Sequence, residues 1–518
     1  RRRHTRLLTV TGVQTCALPI SGARKNWAYR QDQLSSTHPI AVDMKNMQEV
    51  RTNFDGITYA KGASVLQQLV AHVGKENFFA GLKKYFAKHA WGNTVLNDLL
   101  VELEATSGRD LSAWTKTWLQ TAGVNTLRPD LKISDDKYAE VAVIQEVPEV
   151  PEGSKELRPH RMAVGLYDLK NGKLERRKSV ELDVSGARTV VDGLTGEAVA
   201  DLLLINDHDL TYAKIRFDER SISTLKKHLG DITDSLTRAL CWSAAWDMHR
   251  DGELSASDYA EIVLNALGKE NEASVIAAQL VNLETAVELY SNPAKRDSLR
   301  ALRSNGLYKL AVAAVAGSDE QLALAKGFAN GATAADATKV KDFLDGKLAG
   351  LTIDTEMRWT LVKSLAERGL FGAAEVDAEL QRDNTADGAR HAAEARALIS
   401  TADAKAQTWN ALTTTELSNH IQRHMLMGIN RPIQQDLYAP YVDKYFALVK
   451  DFCAKNSYEV SMQFAVLAFP RFATSPETLT KAEQWITNNK DASDGVIRWV
   501  KEGRDSIKRA LKAQEADR

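Results

Sequence analysis

Apolar residues recur at helical spacing along the first part of the chain. Between residues 56 and 122, four stripes of apolar side chains follow the spacing of one helix face. The first stripe runs from Val65 to Val73 and stops at Gly74, while Asn93 or Thr94 is expected to cap the third helix. The pattern predicts four helices whose apolar faces form a core.

The periodicity changes after Gly123. Short runs rich in β-branched residues follow, several of them alternating with period two and separated by turn-forming residues. Asn171-Gly172 between two such runs is a hairpin signal. A small antiparallel β-sandwich over residues 124–217 is therefore predicted, with strands in residues 139–147, 162–168, 179–184, 188–192 and 199–205.

From about residue 218 to the end, the sequence returns to helical spacing and becomes rich in alanine. Roughly 300 residues of short helices without strands favour stacked helical pairs, although no strict repeat period is visible. The fold class predicted is multidomain and mostly α. Its parts are residues 21–123, a β-sandwich at 124–217, and a large α-solenoid-like helical domain at 218–518.

Composition narrows the possible partners. The chain has 518 residues and a formal net charge of -1, which gives no reason to expect nucleic acid or an anionic membrane as partner. It contains no run of about 18 apolar residues, so no membrane span is expected. Cys16, Cys241 and Cys453 are far apart and form no CxxC pair, which favours a reducing, cytoplasmic location.

Residues 1–20 do not fit the rest of the chain. A basic start and a mildly apolar stretch imitate a secretory signal, but Thr9, Gln14 and Thr15 interrupt the apolar core. The stretch VTGVQTCALPI is similar to translated sequencing-adapter read-through. We expect these residues to be an artefact or disordered, with a signal peptide or genuine sequence as the alternatives, and we expect the natural protein to begin upstream.

Four motifs occur in order in the first part of the chain, and two further stretches follow later. The first four are KNWAYRQDQLSSTHPIAVDM, FDGITYAKGASVLQQLV, FFAGLKKYFAKHAWGNT and DLSAWTKTWLQTAGV, and the later two are NDHDLTYAKIRF and LTRALCWSAAWDMHRDGELSASDY. Together they resemble the aminopeptidase N family of zinc metallopeptidases (gluzincin clan), in the style of its actinobacterial members. The resemblance implies that residues 21–123 are the C-terminal helical part of a thermolysin-like catalytic domain acting on peptides with a free N-terminus.

The resemblance also implies one catalytic residue. The family's Tyr-x-Lys-Gly motif reads Tyr59-Ala60-Lys61-Gly62, which makes Tyr59 the catalytic tyrosine. A neutral phenol can donate a hydrogen bond to the oxyanion that forms when water attacks a peptide carbonyl. Gly62 is expected to allow a close approach of backbone or helix packing. Without the neighbouring motifs, a tyrosine at a helix start is more often a half-buried packing residue.

Residues around this motif are given structural roles. Asp55 and Gly56 are expected to shape the turn that aims Tyr59. His38, in a loop that ends in proline, and His89, near a helix end, also match family positions, and we interpret both as structural.

The family's metal site is absent from this sequence. Neither its His-Glu-x-x-His motif nor its upstream Gly-x-Met-Glu-Asn motif occurs anywhere in the chain. The prediction is a fragment of a zinc-dependent aminopeptidase whose zinc ligands lie upstream, with no zinc bound by this chain and no activity alone. The alternative is a non-catalytic helical scaffold or peptide-binding module.

One pattern imitates the metal site. His420 and His424 lie four residues apart on a predicted helix, and Asp443 follows after eighteen residues. Ile421 stands where the general base is needed, and Arg423 places a positive charge beside the supposed ion. We therefore interpret this helix as an ordinary solvent-facing amphipathic helix.

Overall fold

The fold was analysed in a computed structural model, which describes residues 24–42 and 53–518. The chain divides into two compact units, with the division between Met248 and His249. The predictions for residues 1–20, including Cys16, lie outside the described residues. The described part is mostly helical with small sheets, which confirms the predicted fold class at that level.

The first unit begins with helices, as the apolar stripes predict. Its helices are Lys25–Gln31, a π-helical turn at Ile57–Lys61, Gly62–Val73, Lys75–Lys88, Leu96–Ser107 and Ser112–Leu119, followed after the sheets by Glu219–His228 and by Ser235–Arg250, which runs into the second unit. The helices before Gly123 share one core, in which Trp118 and Leu103 are completely buried. Gly74, with φ of 85°, separates two of these helices as expected.

The predicted cap of the third helix is wrong. The helix begins at Leu96, with Val95 at the N-cap, and neither Asn93 nor Thr94 occupies that position. The Asp98 carboxylate accepts the backbone N–H of Val95 at 2.9 Å. The Asp98 carboxylate therefore satisfies a backbone N–H at the start of this helix, although a polar N-cap residue was expected there.

Seven strands form two small sheets. They are β1 (Thr126–Ser134), β2 (Lys137–Glu146), β3 (His160–Lys170), β4 (Lys173–Val184), β5 (Arg188–Val190), β6 (Leu202–Asp207) and β7 (Lys214–Ile215). The strand orders are β5-β2-β1-β7 and β4-β3-β6. The Asn171-Gly172 hairpin is confirmed, because both residues have positive φ and join β3 to β4.

Two features of the sheets differ from the prediction. β1 was missed, because Pro129 and its charged neighbours hide the period-two pattern, and yet Pro129 pairs with Val143 in an antiparallel ladder. β7 pairs with β1 in parallel, so the expectation of purely antiparallel sheets is wrong. Tertiary contacts determine which strands pair with β1, and the sequence of β1 alone does not predict them.

The second unit is helical throughout its described length. Beyond the helix that enters it, its helices are Ala256–Ala266, Ala273–Thr285, the π-helical turn Ala286–Tyr290, Arg296–Ala313, Asp319–Gly331, Ala337–Leu344, Thr355–Glu367, Ala373–Arg382, Ala386–Leu398, Ala402–Thr414, Asn419–Ile429, Gln435–Tyr438, Pro440–Lys455, Tyr458–Leu467, Pro476–Asn488 and Asp494–Ala516. Most are short, and side-chain caps such as Ser318 and Thr401 begin many of them. Within the part of the chain that the structure describes, we find no helix long and apolar enough to cross a membrane.

A buried histidine lies where the helices of the first unit meet β3. His160 is 1% exposed, and its ring packs edge-on against Trp118 with 5.2 Å between centroids. Its Nδ1 lies 2.8 Å from the Thr211 hydroxyl and its Nε2 lies 3.1 Å from Oε1 of Gln145. Because that amide oxygen accepts, Nε2 carries the proton, and the ring is neutral with Nδ1 accepting from the hydroxyl.

Burial, and secondarily the charge of Arg158, lowers the pKa of His160 to about 3. An unfolded chain binds this proton near pH 6.5 and the folded chain binds it only near pH 3, so stability falls as the pH drops through that window. Between these values, His160 should lower the unfolding free energy by about 1.4 kcal/mol for each pH unit of acidification. We expect the His160→Gln variant to lack this contribution. Urea unfolding at several pH values measures it.

The exposed His420 provides the matched control, since His420→Gln removes a histidine from the surface. That variant should keep the wild-type dependence of unfolding free energy on pH. An unchanged slope in His160→Gln would show that His160 is not the neutral, buried group described here.

Candidate active site around Tyr59

The turn that carries Tyr59 is fixed by the residues just before it. Asp55 Oδ1 accepts the backbone N–H groups of Ile57 at 2.9 Å and Thr58 at 3.1 Å, as an N-cap residue does. The other carboxylate oxygen of Asp55 lies 2.9 Å from Nε2 of His38. These contacts agree with the role predicted for Asp55 in shaping the turn, and the structural role of His38 stays a prediction.

The close backbone approach occurs at Gly56 and not at Gly62. A Cβ on Gly56 would lie 2.7 Å from Oε1 of Gln31 and 3.1 Å from the backbone nitrogen of Ala28. The same amide oxygen of Gln31 accepts the Gly56 N–H. A Cβ on Gly62 would meet only ordinary contacts at 3.9 Å, so the described residues show no close backbone approach there, and a role in helix packing stays a prediction.

Tyr59 points outward from this turn. Its side chain is 53% exposed, and its ring lies 5.7 Å, centroid to centroid, from Phe54, which is exposed as well. The backbone N–H of Tyr59 donates to the carbonyl of Asp55 at 3.1 Å. About half of the Tyr59 side chain is therefore open to solvent, while the ring keeps a contact with Phe54.

Lys61, two residues further on, points inward. It is completely buried, and its Nζ donates to Oδ2 of Asp32 at 2.8 Å and to the carbonyl of Gly123 at 3.1 Å. Asp32 is buried as well, and its other carboxylate oxygen accepts from the Thr37 hydroxyl at 2.6 Å and from the Gly123 N–H at 2.9 Å. The hydroxyl of Tyr212 completes the set at 3.3 Å from Oδ2.

This pair is electrostatically balanced. Burial raises the pKa of Asp32, but the charge and hydrogen bond of Lys61 outweigh burial, so the pKa lies below its ordinary value. Burial also lowers the pKa of Lys61, and the charge of Asp32 opposes that shift. Both residues stand inside the motifs quoted above, but Asp32 lies among polar neighbours, so its local sequence gives no sign of its burial.

The histidines of the imitation metal site do not come together with Asp443. His420 is exposed, which agrees with a solvent-facing position, and Asp443 pairs with Lys481 at 2.7 Å. His424 is half-buried and lies 2.8 Å from Glu394, so the solvent-facing interpretation is wrong for His424. The expected structural role of His89 agrees with its place at the C-cap of Lys75–Lys88.

Comparison with known proteins identifies the class. The ERAP1-like C-terminal domain matches residues 202–509, and the Peptidase family M1 domain matches residues 16–118. Because the first match covers more than half of the chain, the protein belongs to the family defined by the ERAP1-like C-terminal domain.

Individual relatives agree with this assignment. The chain is 47% identical to aminopeptidase N from Streptomyces lividans over 502 residues, which is 95% of this chain and 58% of that protein. It is 29% identical over 263 residues to tricorn protease-interacting factor F2 from Thermoplasma volcanium, covering 49% of this chain and 30% of that one. Glutamyl aminopeptidase from Bitis rhinoceros matches at 36% over 102 residues, 20% of this chain and 11% of that protein. The predicted resemblance to the aminopeptidase N family, including its actinobacterial style, is confirmed.

The Asp32–Lys61 pair yields a stability prediction. Lys61→Met should destabilise the first unit by about 3–5 kcal/mol, because it leaves a buried carboxylate without its counter-charge. Asp32→Asn should destabilise the unit as well, because it leaves the Lys61 ammonium buried without its counter-charge. The double variant Lys61→Met/Asp32→Asn should recover part of the lost stability. Urea unfolding of the full chain, followed by the fluorescence of the tryptophans, measures the change.

The exposed Lys88–Glu102 pair, at 3.0 Å in the same unit, is the matched control. Lys88→Met should cost no more than about 1 kcal/mol. Equal losses in the Lys61→Met and Lys88→Met variants would contradict the proposed importance of burial.

Proposed function

We propose that this chain is the C-terminal part of a cytoplasmic, zinc-dependent aminopeptidase that releases N-terminal amino acids from peptides. The single observation that carries the proposal is the exposed Tyr59 on a turn that buried polar contacts hold in place. The match to the Peptidase family M1 domain around this turn supports it. The chain spans 58% of the length of the Streptomyces relative, and the proposal assigns the activity to a longer protein.

The proposal assigns a part to each region. Residues 21–123 form the C-terminal helical part of a thermolysin-like catalytic domain, residues 124–217 a β-sandwich, and residues 218–518 an α-solenoid-like domain. The helices before Gly123 and the two sheets after it support the first division. The second division is supported by the strand-free sequence of short helices that follows.

The residues around Tyr59 do not by themselves fit a zinc ion. Among the described residues, the one group of three side chains able to hold a metal is His391, Glu394 and His424, in the other compact unit. The whole sequence also lacks His-Glu-x-x-His. The proposal therefore takes the catalytic zinc ligands from polypeptide that this sequence does not include.

In this mechanism Tyr59 donates its phenolic proton as a hydrogen bond. When water adds to the peptide carbonyl, the oxygen gains negative charge, and the hydrogen bond becomes charge-assisted and stronger. The benefit is therefore larger in the transition state than with bound substrate. Asp55 keeps the turn rigid, so the hydroxyl does not have to be ordered during the reaction.

The first test uses the chain as it stands. Purified protein of these 518 residues should hydrolyse no aminoacyl-anilide, with or without added zinc, because it supplies no general base of the required motif. Release of the coloured anilide, followed by absorbance, measures this. Turnover that persists in homogeneous protein would place the complete catalytic centre within this sequence.

The second test uses the longer enzyme that carries the zinc motif. Tyr59→Phe should lower kcat by about 10²–10³ with little change in KM, because the lost hydrogen bond acts on the transition state. Zinc content and melting temperature should stay at wild-type values, since the ring and its contact with Phe54 remain.

Tyr85→Phe is the matched control, because Tyr85 is another tyrosine of this unit and its hydroxyl forms a hydrogen bond with the Thr94 hydroxyl. It should leave kcat unchanged. If Tyr59→Phe keeps more than about half of the wild-type kcat, Tyr59 has no part in the mechanism. A scaffold without catalysis would show no activity to lose in any variant.

A further inference from the structure

Three metal-ligating side chains converge in the helical second unit, apart from the proposed catalytic residue. One possible ligand atom each from His391, Glu394 and His424 lies within 4.8 Å of the other two. We infer that these three residues bind a divalent transition-metal ion, Zn²⁺ in the first place. The inference goes beyond the proposed function and does not depend on it.

The sequence brings the three together through two helices. His391 and Glu394 are three residues apart on Ala386–Leu398, so they lie on the same face. His424 lies on Asn419–Ile429, where its Nδ1 is 2.8 Å from Oε2 of Glu394. The rings of the two histidines are 5.9 Å apart, centroid to centroid, and nearly perpendicular. Paired helices with a His-x-x-Glu spacing can build metal sites in this way.

His391 has a nitrogen that nothing in the described structure uses. Its Nδ1 is buried and has no hydrogen-bond partner. Its Nε2 lies 3.3 Å from the carboxylate of Glu356, and its ring stacks on Trp359 with centroids 5.6 Å apart. A metal-binding histidine typically donates its second ring N–H to a carboxylate, which fixes the tautomer and leaves the other nitrogen for the ion. Glu356 and Trp359 hold His391 in that arrangement.

The types of ligand atom in this site indicate which metal ion it binds. Two imidazoles and one carboxylate are typical zinc ligands, and the fourth position can be taken by water. Ligand atoms around a tetrahedral zinc lie about 3.3 Å apart, given bonds of about 2.0–2.1 Å. The His424–Glu394 contact of 2.8 Å is shorter than that, so these two groups separate slightly when the ion enters, and the proton that they share is released to solvent.

Lys363 and Arg431 both place a positive charge near Glu394 that opposes a cation here. Nζ of Lys363 lies 3.3 Å from Oε2 of Glu394, the oxygen that also meets His424. Lys363 lines an adjoining cleft of about 260 Å³ together with Glu284. The ammonium group can leave Glu394 for that cleft when the ion enters, so Lys363 acts as a competitor that weakens the affinity.

The role of this ion is structural. Glu394 is a ligand in this site, and the neighbouring carboxylate of Glu356 is engaged with Nε2 of His391, so it is not placed to act as a general base. The ion would join Ala386–Leu398 to Asn419–Ile429 more tightly than the single His424–Glu394 hydrogen bond does. Zinc bound here therefore supports no peptide hydrolysis, and this inference is independent of the test for the catalytic centre.

Calorimetric titration of chelator-treated full chain with Zn²⁺ tests the site. We expect one zinc per chain with a dissociation constant below about 10 µM. A hundredfold excess over that constant should raise the melting temperature by about 5 °C, because the folded state alone holds the complete site. Titration with Co²⁺ should give the visible absorption of a four-coordinate ion.

Variants separate this site from adventitious binding. His391→Ala, Glu394→Gln and His424→Ala should each abolish the zinc-dependent rise in melting temperature, while their circular dichroism stays that of a folded helical protein. His420→Ala is the matched control, since it removes the exposed histidine one turn away on the same helix, and it should bind zinc as the wild type does. Lys363→Met should tighten binding about tenfold by removing the competing charge.

The outcomes are distinct. Loss in all three ligand variants with retention in His420→Ala supports the site. Failure of the wild type to bind zinc, or zinc binding that survives His391→Ala, overturns it, because His391 supplies the unpartnered nitrogen on which the inference rests. Weaker or unchanged binding in Lys363→Met also contradicts it.

Discussion

The fully buried carboxylate of Asp32 is the interaction on which the first unit depends. It accepts hydrogen bonds from Thr37, Lys61, Tyr212 and the backbone of Gly123. These groups come from the loop after the first helix, from the turn of Tyr59, from the segment after β6 and from the start of the sheet region. A buried charge is tolerated only when it is paired and its remaining lone pairs are satisfied. One carboxylate thereby fixes four segments of the chain at once.

A second buried polar centre repeats this logic between the helices and the sheets. Arg158 is 1% exposed, and its guanidinium donates to Asn125, to the Thr121 hydroxyl and to the carbonyl of Ala122. The same guanidinium lies over the ring of Trp118, 5.7 Å from its centroid. Apolar packing alone would allow the helices to slide over the sheets, whereas these directional bonds accept only one register.

The sequence predicts what depends on local periodicity and misses what depends on distant partners. The helices between residues 56 and 122 and the Asn171-Gly172 turn follow from spacing and turn chemistry, and the structure agrees. The sequence does not predict β1, because Pro129 and its charged neighbours hide the period-two pattern. The strand forms because it pairs with β2. Lys61 was recognised as part of a motif, but its burial against Asp32, 29 residues away, leaves no periodic signal. Tyr59 could be found from the motif, yet its exposure required the structure.

The two carboxylate centres differ in one physical respect, and that difference separates a structural centre from a binding site. Around Asp32 the oxygens are satisfied by protein donors, and the buried Lys61 ammonium balances the charge, so an entering ion would have to break several bonds and would gain nothing. Around Glu394 the counter-charge is Lys363, which lines an open cleft, and the neighbouring His391 keeps a buried nitrogen without a partner. Leaving a buried polar atom unpaired costs about 1–3 kcal/mol. A ligand that uses this atom recovers that cost, so a metal ion has a reason to bind at Glu394 that it lacks at Asp32.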